Sequence, residues 1–275
     1  NVPAEKRTIV FGLGTASGSA GMALFAPVSV AMIANLGWQD SLVWMAIAML
    51  IIPVLAIPLV GNSSSTAKIA EAEQTIGESL KEAFGHMSYL LLIAGFFVCG
   101  FQVSFVTVHF PAYLEEIGID ARYAGMALLL IGLFNIVGSL ASGFIGQRYS
   151  KPIFLSLIYI GRTIAIVVLL FSPKTPALII GFAVVMGLLW LSTVAPTNSL
   201  VATMFGTRHL GMLGGIVFLS HQFGSFLGVW LGGYLFDLYG SYNPVWWFGA
   251  VLGMFAAIVH WPIREQAVER GINPA

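Results

Sequence analysis

The sequence predicts an all-α integral membrane protein that crosses the bilayer eight times. Hydrophobic residues make up 58% of its 275 residues and charged residues only 9%, whereas a soluble domain carries about 25% charged residues. Because a soluble surface needs charge and a lipid-facing surface does not, this composition favours a chain that lies largely in lipid. The 31 glycines point the same way, since small residues let helices approach closely in membranes.

Eight stretches of the chain are apolar over about 20 residues, the length that a helix needs to cross the hydrocarbon core. Short polar turns separate most of them, so neighbouring helices are expected to be antiparallel. The predicted spans cover roughly residues 8–34, 38–60, 88–111, 121–146, 152–171, 175–200, 209–237 and 244–262.

One polar segment, 61–87, is longer than the others. It opens with a Gly-Asn-Ser-Ser-Ser run, which is typical of a flexible linker. Thr75 and Glu78 then form a capping-box pattern ahead of an apolar stripe, which predicts a surface helix that leads into the third span. Two spans therefore precede the linker and six follow it. The predicted domains are residues 1–62, 63–87 and 88–275.

The cationic residues are unevenly divided between the two sides of these spans. Nine of the twelve Lys and Arg residues fall on one side, two (Arg122 and Lys174) on the other, and Arg162 lies inside a span. Because positive residues accumulate on the cytoplasmic side of a membrane protein, both ends of the chain and the linker are expected in the cytoplasm.

Soluble catalytic and nucleic-acid-binding chemistry finds no support in the sequence. The net charge of zero gives no electrostatic footprint for nucleic acid, and a single cysteine, Cys99, excludes an internal disulfide. An intramembrane enzyme would need paired acids or a His/Glu metal cluster within the spans, and the sequence contains neither. We therefore expect no cofactor, no bound metal and no enzymatic activity.

Arg162, about midway along the fifth predicted span, is the first candidate for a substrate site. A charge at the centre of a membrane helix costs roughly 2.5–3.5 kcal/mol on insertion scales, so it should face the interior of a helix bundle. Its guanidinium fork would match a carboxylate on the substrate. The alternative is a structural arginine bonded to neighbouring carbonyl groups or to Tyr159, one turn earlier.

Further polar residues lie within the spans and are expected to line a cavity with Arg162. His221 shares a helix face with several small residues, and it titrates near neutral pH, so it is the candidate for a coupling proton. The alternative is a neutral histidine bonded across a helix interface. The remaining candidates for substrate binding are Gln102, Asn135, Trp190 and Gln222.

Asp237, at the outer end of the seventh predicted span, is a candidate for an outer gate. An acid at a helix C-terminus is disfavoured by about 0.3–1 kcal/mol, so a cationic partner is expected. Arg122, in an outer connection, is the candidate partner. The alternative is a solvated surface acid without a role in gating.

Two motifs carry a resemblance to a known family. Residues 143–151, with Gly143, Gln147, Arg148 and Lys151, fall where transporters of the major facilitator superfamily have a degenerate copy of the cytoplasmic motif G-x-x-x-D-R-x-G-R-R. Gln147 replaces the acid. The first predicted span, with Gly12, Gly14, Gly18 and Gly21 and a closing Gly37-Trp38, resembles the fifth helix of the monocarboxylate-transporter branch and its bacterial relatives.

The resemblance implies the last two helices of an N-terminal bundle and a complete C-terminal six-helix bundle, so four further helices of the same polypeptide are expected to precede Asn1. It also implies transport by alternating access of a small organic anion, such as a monocarboxylate, with proton symport. The expected setting is a bacterial inner membrane, with lipid and the small-molecule substrate as partners.

One departure from the branch leaves alternatives open. Its animal members have an Asp and an Arg four residues apart on the eighth helix, where this chain has Asn135 and Ser139. A carrier for a drug, a sugar or an amino acid therefore stays open, as does a non-transporting receptor or structural membrane protein.

Overall fold

The computed structural model describes residues 3–57 and 74–268, and every regular element among these residues is helical. A short 3-10 turn precedes the first helix. The helices are α1 (Arg7–Met49), α2 (Ile51–Ala56), α3 (Ile76–Gly85), α4 (Met87–Glu116), α5 (Ala121–Arg148), α6 (Lys151–Phe171), α7 (Pro176–Leu189), α8 (Val194–Phe205), α9 (Leu210–Tyr239) and α10 (Asn243–His260).

Seven helical segments of the described chain are long and apolar enough to cross a membrane. The polytopic, all-helical class is therefore confirmed, but the predicted count of eight spans is not. The first of these segments begins only at Ala31, so the predicted span 8–34 has no segment of its own, and α1 consists of two helical stretches joined at a kink at Gly37 (φ 78°, ψ 167°). The positive φ is one that glycine adopts without strain. The seven segments are Ala31–Ala56, Met87–Glu116, Arg122–Arg148, Lys151–Phe171, Pro176–Phe205, Leu210–Tyr239 and Asn243–His260.

The chain groups into two compact units, one formed by Asn1–Ala20 with Ile76–Ala275 and the other by Gly21–Thr75. The second unit holds the rest of α1 and all of α2. The Gly-Asn-Ser-Ser-Ser run of the predicted linker lies outside the described residues, whereas the helix predicted behind it is α3. The division predicted from the sequence, after residues 62 and 87, stays a prediction.

In the first unit, the helices α4 to α10 pack mainly as pairs: α4 with α9, α5 with α7, and α6 with α10. Glycines allow the closest approach. A Cβ atom placed on Gly100 of α4 would collide with the His221 carbonyl of α9, and one on Gly224 or Gly228 would collide with the backbone of α4. Small residues at these positions therefore let two backbones touch, as is common between membrane helices.

The predicted span 175–200 is not one continuous helix. A bend and a turn at residues Trp190–Thr193 separate α7 from α8. Pro196 explains the position of this break, because it has no N–H to donate to the carbonyl of Ser192 four residues earlier. In the first turn of α8 the missing donor costs nothing, since first-turn N–H groups have no partner within the helix.

Beyond α10, residues 261–268 tie the end of the chain to other helices. The Arg264 N–H donates to Ser88 Oγ at 3.1 Å, and the Val268 N–H donates to the Met204 carbonyl at 3.0 Å. Ile263 is buried against the cluster that contains Leu155. The segment therefore connects α10 with α4 and α8 at one end of the helix bundle.

Candidate functional site

Arg162 is fully buried near the middle of α6, where it binds the broken end of α7. Its Nε donates to the Leu189 carbonyl at 3.2 Å and its Nη2 to the same carbonyl at 2.7 Å, and Nη2 also bonds to the Trp190 carbonyl. A helix leaves its last carbonyl groups without internal partners and has a negative dipole at its C-terminus. The guanidinium donates to these carbonyl groups, and its positive charge interacts favourably with the helix dipole.

The other side of the guanidinium faces α4. Nη1 lies 3.4 Å from Gln102 Oε1 and 3.5 Å from Cys99 Sγ, and the guanidinium carbon lies 5.3 Å from the centre of the Tyr159 ring. Gln102 in turn donates to the Gly249 carbonyl of α10 at 2.9 Å. These are the contacts of a structural arginine, and a direct contact between Arg162 and substrate stays a prediction.

Asn135 of α5 binds the same break from a different helix. Its Oδ1 accepts from the Leu191 N–H at 3.0 Å and lies 3.3 Å from Ser139 Oγ, and its Nδ2 donates to Ser19 Oγ of α1 at 2.8 Å. The side chain is only 4% exposed. Asn135 therefore holds backbone and a neighbouring helix in this structure, whereas its predicted contact with substrate remains to be tested.

His221 lies half-buried on α9, next to Cys99 and in electrostatic range of Arg162. Its Nδ1 is 3.4 Å from Ser225 Oγ, and its ring packs on Phe96 with the centroids 5.0 Å apart. The imidazole therefore connects the exposed face of α9 with the buried polar cluster. Proton coupling through His221 stays a prediction.

Four of the six predicted substrate residues thus converge on one place. Gln102 and the Trp190 carbonyl bond to Arg162, and Arg162 and His221 lie beside Cys99. Asn135 holds the helix break from α5. The Trp190 side chain is buried, and Gln222 is exposed beside His221.

Two residues of this cluster carried no predicted role. Cys99 is fully buried, with its sulfur 3.3 Å from the Thr193 hydroxyl. Its place three residues before Gln102 put the two side chains on one helix face, which is the signal that a prediction would have needed. Thr193 gave no such signal, because its position depends on the break between α7 and α8.

Gly143, the first residue of the predicted cytoplasmic motif, meets Gly12 of α1 at a close helix crossing. A Cβ atom on Gly12 would lie 2.8 Å from the Gly143 Cα, and one on Gly143 would lie 3.2 Å from the Gly12 Cα. Nearby, the Thr8 and Ser199 hydroxyls are 2.7 Å apart. Two glycines that the sequence placed in separate motifs therefore form one contact between α1 and α5.

The rest of the motif lies at the end of α5 and the start of α6. Gln147 is half-buried, and its Oε1 has no hydrogen-bond partner among the described residues, whereas Arg148 is exposed. The Lys151 backbone N–H donates to Glu265 Oε2 at 2.9 Å, and its ammonium bonds to Glu265 Oε1. Lys151 thus connects the start of α6 with the segment after α10. The role of the motif in transport stays a prediction.

The predicted outer gate is not formed in this structure. Arg122 Nε lies 3.6 Å from Asp120 Oδ1, with both side chains well exposed, and the described residues contain no ion pair between Arg122 and Asp237. Asp120 is the nearer acid because it caps the N-terminus of α5 and accepts from the Arg122 N–H at 2.9 Å. Asp237 is exposed, and a gate that closes in another conformation stays a prediction.

Comparison with known proteins gives the family. Two overlapping matches to the family model described as Major Facilitator Superfamily cover residues 1–212 and 92–275. The chain is 22% identical to monocarboxylate transporter 13 of Bos taurus over 87% of this chain and 56% of the relative. It is 23% identical to the hexuronate transporter of Bacillus subtilis (strain 168) over 93% of this chain and 65% of the relative.

A third relative is the multidrug resistance protein MdtG of Proteus mirabilis (strain HI4320), which is 27% identical over 60% of this chain and 42% of its own length. The chain therefore spans about half the length of the curated relatives that it matches. Since the family model covers the whole chain, which folds into helices able to cross a membrane, the chain belongs to the Major Facilitator Superfamily, a family of membrane carriers rather than enzymes.

Proposed function

We propose that the protein is a secondary transporter that carries a small organic anion, such as a monocarboxylate, by alternating access. One observation carries this proposal: a fully buried guanidinium at Arg162 in the middle of a six-span bundle. Ionisable groups at this depth mark substrate or ion pathways in membrane proteins. A positive charge there favours an anionic solute.

The helix break beside Arg162 is a second reason to propose the substrate site at this position. Transporters form their sites near the middle of the bilayer, from discontinuous helices whose freed backbone groups face the solute. Here α7 and α8 are separated by Trp190–Thr193, next to Arg162 and Gln102. A carboxylate that reached this cluster would meet a cation, an amide and backbone dipoles.

The names of two relatives favour an anion. Monocarboxylate transporter 13 and the hexuronate transporter are both named for solutes that carry a carboxylate, and a carboxylate is ionised at neutral pH. Their identities of 22% and 23% support the chemical class of the solute and leave its identity open.

Proton symport is the second part of the proposal. His221 is the titratable residue of the cluster that is partly exposed, and it lies beside the buried Cys99. We also propose that both ends of the chain lie in the cytoplasm and that the protein resides in a bacterial inner membrane.

A carrier for an uncharged or cationic solute is the second candidate. Asn135 and Ser139 replace the charged pair of the monocarboxylate branch, and the relative MdtG is named for multidrug resistance. Such a carrier would use the buried cluster only to hold its helices together, and its uptake would respond weakly to the charge at position 162.

Uptake into proteoliposomes that contain the full-length protein tests the proposal. Labelled lactate, pyruvate, acetate and glucuronate would be supplied with and without an inward proton gradient. We expect Arg162→Gln to lower acid uptake about 10-fold or more, because a hydrogen bond to a charged group contributes roughly 1.5–3 kcal/mol. Arg162→Lys keeps the charge and should keep part of the uptake.

Arg264→Gln is the matched control, since Arg264 is exposed outside the bundle and should transport like the unmodified protein. Each variant would first be checked for a monodisperse peak in size-exclusion chromatography. Absence of uptake for every acid, or equal uptake by folded Arg162→Gln, would contradict the anion assignment and favour the second candidate.

A further inference from the structure

Cys99 lies where hydrogen-bond donors converge. Its sulfur is 3.5 Å and 3.7 Å from the two terminal nitrogens of Arg162 and 3.3 Å from the Thr193 hydroxyl, and the His221 ring lies beside it. Cys99, Arg162 and Thr193 are all fully buried. A neutral thiol is a weak acceptor, whereas thiolates are typically found next to arginine or histidine.

Among the residues that the structure describes, no carboxylate forms an ion pair with Arg162. The ion pairs among the described residues are Arg122 with Asp120 and Lys151 with Glu265, and neither includes Arg162. Lys151 is the first residue of α6, about 16 Å along the helix from Arg162 at 1.5 Å per residue. Between residues 87 and 260 the acids are Glu115, Glu116, Asp120 and Asp237, all at helix ends. Glu115 is about 24 Å along α4 from Cys99, at 1.5 Å per residue. Because an unpaired buried charge is costly, a closer anion is expected.

In the described part of the chain, the two groups beside Arg162 that can become anions are Cys99 and Tyr159. The Tyr159 hydroxyl donates to the Gly95 carbonyl at 3.0 Å, so it keeps its proton. His260 of α10 stacks on the ring of Tyr159, and its Nδ1 bonds to the Ala256 carbonyl. The remaining groups that face the sulfur are Arg162 of α6, which donates to it, and Thr193 of the break and His221 of α9, which are able to donate to it.

We propose that Cys99 is a proton-binding site: its sulfur is the anionic partner of Arg162, and it takes up a proton that reaches it through His221. In the resting state the thiolate and the guanidinium form a neutral pair. Uptake of one proton forms the S–H bond, and the net charge of the pair rises from zero to plus one. No group is oxidised or reduced.

This inference rests on the proposed function in one respect, the use of the proton in transport. Protonation of Cys99 leaves the charge of Arg162 unbalanced, so an anion binds more tightly after the proton does. By reciprocity the bound anion also strengthens proton binding. Cotransport of one proton with one carboxylate follows without an acidic side chain bonded to Arg162.

Infrared spectroscopy of the full-length protein tests the ionisation directly. The difference between the unmodified protein and Cys99→Ala isolates the S–H stretching band of this residue, and deuterium exchange confirms its assignment. In the unmodified protein we expect no Cys99 band at neutral pH and a band at acid pH. In Arg162→Gln we expect the band already at neutral pH. If that variant does not fold, Arg162→Lys should show the band at neutral pH with reduced intensity. A Cys99 band in the unmodified protein at neutral pH would overturn the inference.

Uptake by Cys99→Ser separates this inference from the proposed function. The near-isosteric hydroxyl keeps the contact with Thr193 but does not ionise, so we expect acid uptake to persist and its stimulation by a proton gradient to be lost. A missing S–H band in a protein that transports no acid would leave the ion pair standing and overturn the proposed function. Gradient-driven acid uptake by a protein that shows the S–H band at neutral pH would support the proposed function and overturn the ion pair.

Discussion

Arg162 and Asn135, on two different helices, hold opposite sides of one peptide group. Arg162 bonds to the carbonyl of the peptide that joins Trp190 to Leu191, and Asn135 accepts from its N–H at 3.0 Å. This peptide lies in the break between α7 and α8, where neither group can continue a helical ladder. Two residues that the sequence placed in a substrate site therefore fix the shape of a discontinuous helix.

The first prediction concerns Asn135. Asn135→Leu keeps the branched shape and the number of non-hydrogen atoms but leaves the Leu191 N–H and the Ser19 hydroxyl without this partner, so we expect a loss of stability of about 1–3 kcal/mol. Thermal unfolding of the full-length protein in detergent would show it as a lower midpoint. Ser139→Ala, which removes a 3.3 Å contact to the same side chain, is the control and should shift the midpoint less. Equal shifts would contradict the role of Asn135 at the break.

The second prediction concerns the contact between α4 and α9. Gly100→Ala should destabilise the protein strongly, because the new methyl group would collide with the His221 carbonyl and force two backbones apart. In Gly215→Ala, on α9 itself, the new Cβ atom would meet no neighbouring atom within 4 Å. This variant should be neutral or stabilising, by up to about 1 kcal/mol. The yield of monodisperse protein and its unfolding midpoint measure both. If the two variants behave alike, the close approach at Gly100 is not important for stability.

The third prediction concerns the crossing of α1 and α5. In Gly12→Ala the added carbon would lie 2.8 Å from the Gly143 Cα and 3.0 Å from the Ser139 carbonyl, so the helices must separate. We expect a lower unfolding midpoint and weaker uptake, because Asn135 bonds to Ser19 two turns further along α1. Gly14→Ala, with open space around it, is the comparison variant. A Gly12→Ala protein as stable as Gly14→Ala would contradict the crossing.

The fourth prediction concerns the segment after α10. Glu265→Gln removes the negative charge that bonds to both the ammonium and the backbone N–H of Lys151. We expect faster hydrogen–deuterium exchange at Val268 and Arg264, whose N–H groups donate to Met204 of α8 and Ser88 of α4. The stability loss should be about 1 kcal/mol or less, because the ion pair is partly exposed. Arg264→Gln changes an exposed neighbour and should leave the exchange unchanged. Unaltered exchange in Glu265→Gln would show that the ion pair does not hold the segment.

The sequence predicted the membrane class and the position of the six spans between residues 87 and 260, because bilayer thickness imposes a requirement on consecutive residues that can be counted along the chain. It also led to the superfamily through a local motif around Gly143 and the order of the spans. Pro196 is a local signal of the break between α7 and α8, since its missing N–H affects the residue four positions earlier.

Other features depended on residues that are distant in the chain. Arg162 meets carbonyl groups 27 and 28 residues later, Asn135 meets Ser19 across 116 residues, and Lys151 meets Glu265 across 114. The partner of Gly12 and the donors around Cys99 were likewise undetermined. Hydropathy says how deep a side chain lies in the membrane, whereas helix packing decides which neighbour satisfies it. For that reason only the tertiary structure showed that Arg162 and Asn135 hold one peptide group and that Cys99 lies against a buried cation.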